Sequence, residues 1–96
     1  MSIDRSLEDK RSDILRIAAS HGARDVRVFG SRSRGQARSD SDLDLLITLE
    51  EGRSLLDIVA IKQDLEDLLG HSVDVVTEAA ISPYIKDGIL KEAIRL

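Results

Sequence analysis

Residues 30 to 44 read Gly30-Ser31-Arg32-Ser33-Arg34-Gly35-Gln36-Ala37-Arg38-Ser39-Asp40-Ser41-Asp42-Leu43-Asp44, and three features of this stretch carry chemistry. Gly30-Ser31 follows the alternating run Asp25-Val26-Arg27-Val28-Phe29, a half-buried strand pattern. A Gly-Ser turn at a strand end presents backbone N–H groups and a hydroxyl to an anion with no bulky Cβ in the way, which suits a phosphate. The two glycines, Gly30 and Gly35, have a Walker A spacing, but Gln36-Ala37 stands where Lys-Ser/Thr is required, so the P-loop reading fails. Asp42 and Asp44 are two positions apart at the start of a second strand, so both carboxylates leave one face and can converge on one hard cation such as Mg²⁺.

Working outward, the chain alternates helices and strands. Ser6 to Asp9 can cap a helix ending near Ser20, with Leu7, Ile14, Leu15, Ile17 and Ala18 inward and Gly22 as its stop. The polar segment from Ser31 to Asp40 suits a tight turn and a brief helix. The strand from Asp42 to Leu49 contains Leu45-Leu46-Ile47, a run expected to be buried on both faces. Ser54 and Asp57 can cap a helix with Leu55, Ile58, Val59, Ile61, Leu65, Leu68 and Leu69 on its apolar side, closed by Gly70. Val73 to Thr77 reads as a third strand bearing one acid, Asp74. Ser82-Pro83 can open a last helix with Ile85, Ile89, Ala93 and Ile94 inward and a break at Gly88. Three strands separated by helices make an α/β layer fold. An adjacent third strand would set Asp74 beside Asp42 and Asp44, and three carboxylates can hold two metal ions roughly 3.5 to 4 Å apart.

Composition narrows the functional classes. The chain has 96 residues, 42% hydrophobic and 33% charged, with no linker or repeat, so one domain spanning 1–96 is expected. The absence of cysteine excludes disulfide scaffolds and thiolate metal sites. Phe29 and Tyr84 are the only aromatic residues, which excludes a base-stacking platform; Tyr84 is expected to be a half-buried packing residue. A net charge of −4 argues against direct nucleic-acid binding. Five arginines (Arg24, Arg27, Arg32, Arg34, Arg38) nevertheless lie just before Asp40, Asp42 and Asp44, and a phosphate–metal complex needs both signs. No stretch approaches a membrane span, and the polar N-terminus is unlike a signal peptide, so a cytoplasmic protein is expected. His21 and His71, each beside a helix-ending glycine, are expected at the surface.

Each feature alone has a bland reading: Asp-x-Asp as the solvent face of a strand, Gly-Ser as an ordinary turn, Asp74 as an exposed edge residue, the arginines as a solvated face. Their joint spacing is more specific. Gly30-Ser31, ten intervening residues and Asp42-Leu43-Asp44 resemble the G-S-x10-D-x-D signature of the DNA polymerase β nucleotidyltransferase superfamily. The flanking Val28-Phe29, Leu45-Leu46 and Val73-Asp74-Val75-Val76 resemble its minimal members, the MntA-like antitoxins. The resemblance implies a polymerase β-like palm, here a small mixed three-stranded sheet flanked by helices. It implies Mg²⁺, as two ions, on Asp42, Asp44 and Asp74, with Asp74 also taking the proton from the attacking hydroxyl. It implies that Gly30 and Ser31 hold the β- and γ-phosphates of ATP, while Arg32, Arg34 and Arg38 are, from their place in the loop, candidate phosphate or partner contacts.

The activity implied is AMP transfer from ATP to a tyrosine of a cognate HEPN-domain ribonuclease toxin, with release of pyrophosphate. Two other readings use the same fold: an antitoxin that neutralises its toxin by binding alone, and nucleotidyl transfer to a small molecule or a nucleic-acid end. Larger superfamily members recognise acceptors with an additional domain. A chain of 96 residues leaves no room for one, which favours an acceptor protein that brings its own surface.

Overall fold

The computed structural model describes residues 5–30 and 43–96, without the side chains of residues 5 and 6. The described elements are α1 (Arg5–Ser20), β1 (Ala23–Phe29), β2 (Leu43–Leu49), α2 (Leu55–Leu69), β3 (Val73–Thr77), a 3-10 turn (Glu78–Ala80), α3 (Pro83–Glu92) and β4 (Ile94–Arg95). The strands form one mixed sheet in the order β3-β2-β1-β4. β1 runs antiparallel to β2 and to β4, whereas β2 and β3 are parallel and joined by the crossover helix α2. The brief helix expected between Ser31 and Asp40, like Ser31, Arg32, Arg34, Arg38 and Asp42, lies outside the described residues.

The two-residue periodicity of the strands divides the sheet into two chemically distinct faces. Val26, Val28, Leu43, Leu45, Ile47 and Val73 point to one side, where they join Leu7, Ile14 and Ala18 of α1 and Ile61 and Leu65 of α2 in one core cluster. Leu7, Ile14, Ile61 and Leu65 are fully buried, each such side chain contributing about 2 to 3 kcal/mol of transfer free energy. Asp44, Leu46 and Thr48 alternate with the core set on β2 and point to the opposite face. Leu45, Leu46 and Ile47 are all buried, as expected of a central strand.

Local chemistry sets the helix ends. Ser54 accepts from the Leu56 N–H while Asp57 accepts from the Ser54 N–H, which completes the expected capping box of α2. Gly70 closes the same helix at φ +77°. Ser82 accepts from the Tyr84 N–H and Pro83 opens α3.

Four expectations are corrected. The sheet has four strands rather than three, because Ile94 and Arg95 leave α3 and pair with Val28 and Arg27 on the open edge of β1. α3 runs through Gly88 without a break and stops before Ala93, which is extended. Ile85 is 56% exposed and Tyr84 97% exposed, so neither packs inward. Leu55 and Val59 are likewise exposed, and within α2 only Ile61 and Leu65 are fully buried.

Candidate active site

Two of the three predicted acids, Asp44 and Asp74, come together at one end of the sheet, while Asp42 lies outside the described residues. Antiparallel pairing of β1 with β2 places Phe29 opposite Asp44, and parallel pairing of β2 with β3 places Asp44 opposite Asp74. Register partners on neighbouring strands share a face about 5 Å apart, so the Asp44 and Asp74 carboxylates leave the sheet side by side, away from the core. Asp44 is half-buried and Asp74 exposed. A cleft of about 440 Å³ opens over this face, walled by Asp44 and Asp74, by Phe29, and by Ile81, Ile85 and Ile89 from the segment entering α3 and from α3 itself. A second groove of about 480 Å³, beside Ile47, Thr77 and Lys86 at the far end of β2 and β3, holds none of the predicted site residues.

Gly30 closes β1 at φ +76°, in the left-handed region that glycine enters at no steric cost. A Cβ at this position would collide with the Asp44 carboxylate. The residue is therefore required twice, once for the turn and once for the approach of the acid. Its N–H donates to Glu92 Oε2 at 2.9 Å, so an amide expected to face phosphate is held here by a carboxylate at the end of α3.

Two further groups were not legible in the motif. Lys62 of α2 reaches the wall of the same cleft, and its ammonium donates to Glu66 Oε2 at 2.9 Å and to the Val73 carbonyl at 2.6 Å. Glu66 also accepts from the Val73 N–H at 3.0 Å. That N–H, followed by the Lys62 hydrogen bond, holds the Glu66 carboxyl below its ordinary value of 4.5 against a smaller opposing effect of burial. The i,i+4 spacing of Lys62 and Glu66 was the one available signal, and it does not distinguish such a pair from a surface salt bridge. His21, read as a surface residue, is half-buried, with Nε2 3.0 Å from Asp64 Oδ2, linking the end of α1 to α2.

The donor set suits a hard divalent cation. Asp44 and Asp74 offer carboxylate oxygens from two rigid strands at one register position, and the sequence supplies Asp42 two residues before Asp44. Among the described residues no three or more His, Cys, Asp or Glu side chains gather at one point, and the cleft lining holds no histidine or sulfur that would favour a softer metal.

With this sheet and cleft described, the chain belongs to the nucleotidyltransferase domain family, whose model matches residues 6–96. It is an enzyme of that class. It is 40% identical over 89 residues to a Methanocaldococcus jannaschii protein named "Putative protein adenylyltransferase MJ0435", covering 93% of this chain and 96% of that one. It is 41% identical over 73 residues to the protein adenylyltransferase MntA of Thermococcus cleftensis, covering 76% and 74% of the two chains. Among solved structures, one described as a "putative minimal nucleotidyltransferase" superposes with a TM-score of 0.86 at 50% identity, covering 100% of this chain and 97% of that one. The fold also matches, at a TM-score of 0.70, 16% identity and coverage of 92% and 69%, a structure of a tri-AMPylated Shewanella oneidensis HEPN toxin in complex with an MNT antitoxin.

Proposed function

We propose that this protein is a Mg-ATP-dependent protein adenylyltransferase that acts as an antitoxin, transferring AMP to a tyrosine of a cognate HEPN-family ribonuclease toxin. The observation that carries the reading is the register pair Asp44 and Asp74, set on one face of the sheet directly beside the Gly30 turn. The relatives named as adenylyltransferases support the reaction, and the toxin–antitoxin complex of the same fold supports the class of partner. Among the described residues no helix is long and apolar enough to cross a membrane, which is compatible with work in the cytoplasm.

In the proposed reaction the tyrosine oxygen attacks the α-phosphorus of ATP, the bond from that phosphorus to the β-phosphate bridging oxygen breaks, and pyrophosphate leaves. Asp42, Asp44 and Asp74 would hold the two Mg²⁺ ions, which when bound neutralise phosphate charge and lower the pKa of the attacking hydroxyl. Gly30 and Ser31 orient the triphosphate, with Arg32 as a further contact. A phosphate oxygen reaching the Gly30 N–H takes the place of Glu92 Oε2. Asp74, the more exposed acid, receives the proton of the incoming hydroxyl. The aliphatic wall of Ile81, Ile85 and Ile89 offers the adenine an apolar surface in a chain with no aromatic residue but Phe29 and Tyr84.

The test is transfer of label from ATP carrying a radioactive α-phosphate to the HEPN protein. Asp44→Asn is expected to lower labelling by a factor of about 10² to 10³. Labelling by the variant at the wild-type rate would overturn the assignment.

A further inference from the structure

β3 is the edge strand of the sheet and has only five residues, so β2 alone pairs with it. The ladder engages its inner side: the Leu43 N–H, for example, donates to the Ser72 carbonyl at 3.2 Å. The N–H and C=O of Val73 face outward, where an edge strand ordinarily meets water. Here both groups are taken by α2, the N–H by Glu66 Oε2 and the carbonyl by Lys62 Nζ, while Lys62 and Glu66 also bond each other. The Val73 side chain is fully buried on the core face. One residue is thus held through its side chain, its donor and its acceptor, and the next residue is Asp74, whose carboxylate emerges on the other face beside Asp44.

We propose that Lys62 and Glu66 are positioning residues for Asp74: by gripping both outward backbone groups of Val73 they fix the edge strand at the register that sets Asp74 beside Asp44. The proposal rests on the reading of Asp44 and Asp74 as metal-binding acids and adds two residues that neither belong to the motif nor contribute ligands. Charge-assisted hydrogen bonds are the strong ones, and partners that orient ligands without touching the metal commonly govern its affinity. A free edge strand of five residues would sample slipped and frayed registers. Two carboxylates that must converge on one ion do not tolerate that movement.

The test is a titration of the full chain with Mn²⁺ in the presence of α,β-methylene-ATP, followed by electron paramagnetic resonance of the free ion. Amide exchange at Val73 is measured in parallel, and circular dichroism confirms that each variant is folded. Glu66→Ala and Lys62→Met are expected to weaken Mn²⁺ binding about ten-fold and to speed Val73 exchange. Glu66→Gln keeps a carbonyl oxygen that can accept from the Val73 N–H, and is expected to stay close to the wild type in both readouts. Wild-type Mn²⁺ affinity in both disruptive variants would overturn the proposal, as would equal losses in Glu66→Ala and Glu66→Gln, since charge rather than the hold on Val73 would then be responsible. Asp74→Asn separates this proposal from the reading beneath it. If that variant binds Mn²⁺ as tightly as the wild type, the metal role of Asp74 fails, whereas the hold on Val73 is still judged by amide exchange.

Discussion

The backbone N–H of Gly30, at the end of β1, donates to Glu92 Oε2, at the end of α3, over 2.9 Å and a sequence separation of 62 residues. A carboxylate at a helix C-terminus opposes the helix dipole, so Glu92 stands at a disfavoured place and is compensated by the amide it accepts. The bond ties the last helix to the turn that leads into the Gly-Ser segment. Glu92→Ala is expected to lower stability by about 1 to 2 kcal/mol in urea denaturation, with Glu92→Gln losing less because its amide oxygen still accepts.

Gly30→Ala is expected to do more damage to catalysis than to folding. The left-handed backbone costs an L-residue about 1 to 2 kcal/mol, which the fold can absorb. The new methyl group, however, enters the space of the Asp44 carboxylate and displaces it. Retained circular dichroism, a modest fall in melting temperature and near-complete loss of AMP transfer are the expected set of results.

The Glu66 carboxyl sits below 4.5 in the folded chain because the Val73 N–H and the Lys62 ammonium stabilise its charged form. The unfolded chain therefore binds a proton more readily than the folded one. The stabilisation is fully present above the unfolded value and is lost as pH falls through the folded value. Urea denaturation of wild type and Glu66→Gln across a pH series should show the largest difference at neutral pH, with the two converging in acid below pH 4.5. A gap that stays constant over that range would contradict the assignment.

Ser54→Ala removes the side-chain acceptor of the α2 capping box and is expected to cost about 1 kcal/mol, or roughly 4 to 8 °C in melting temperature. Asp57→Asn, which retains an oxygen for the Ser54 N–H, should cost less.

What the sequence revealed and what it hid follow from the range of each interaction. The capping box at Ser54, the stop at Gly70 and the alternation of Val73-Asp74-Val75 are local signals, and the structure carries them as read. The pairing of Asp44 with Asp74 follows the expectation that the strand carrying Asp74 lies next to the strand carrying Asp44, because a sheet of so few strands allows few other orders. The fourth strand was hidden: two residues have no periodicity, and Ile94 continues the apolar spacing of α3 while belonging to the edge of β1. The exposure of Tyr84 was hidden for a related reason, since composition records that an aromatic is present but not which way its helix turns. Lys62, Glu66 and Glu92 act through backbone groups of Val73 and Gly30, and a side chain that serves another residue's peptide leaves no mark in a motif.

Asp44 and Asp74 sit side by side on adjacent parallel strands, and a parallel pair cannot be closed by a tight turn. All of α2 lies between the strand that carries the first acid and the strand that carries the second. Half-folded forms that contain β1 and β2 as a hairpin would already have Asp44 in place yet lack its companion. Under the proposed reading, a cation site built on both acids is complete only in a chain whose α2 has crossed the sheet. A ligand that requires both acids will recognise finished molecules alone, drawing the population toward them by mass action.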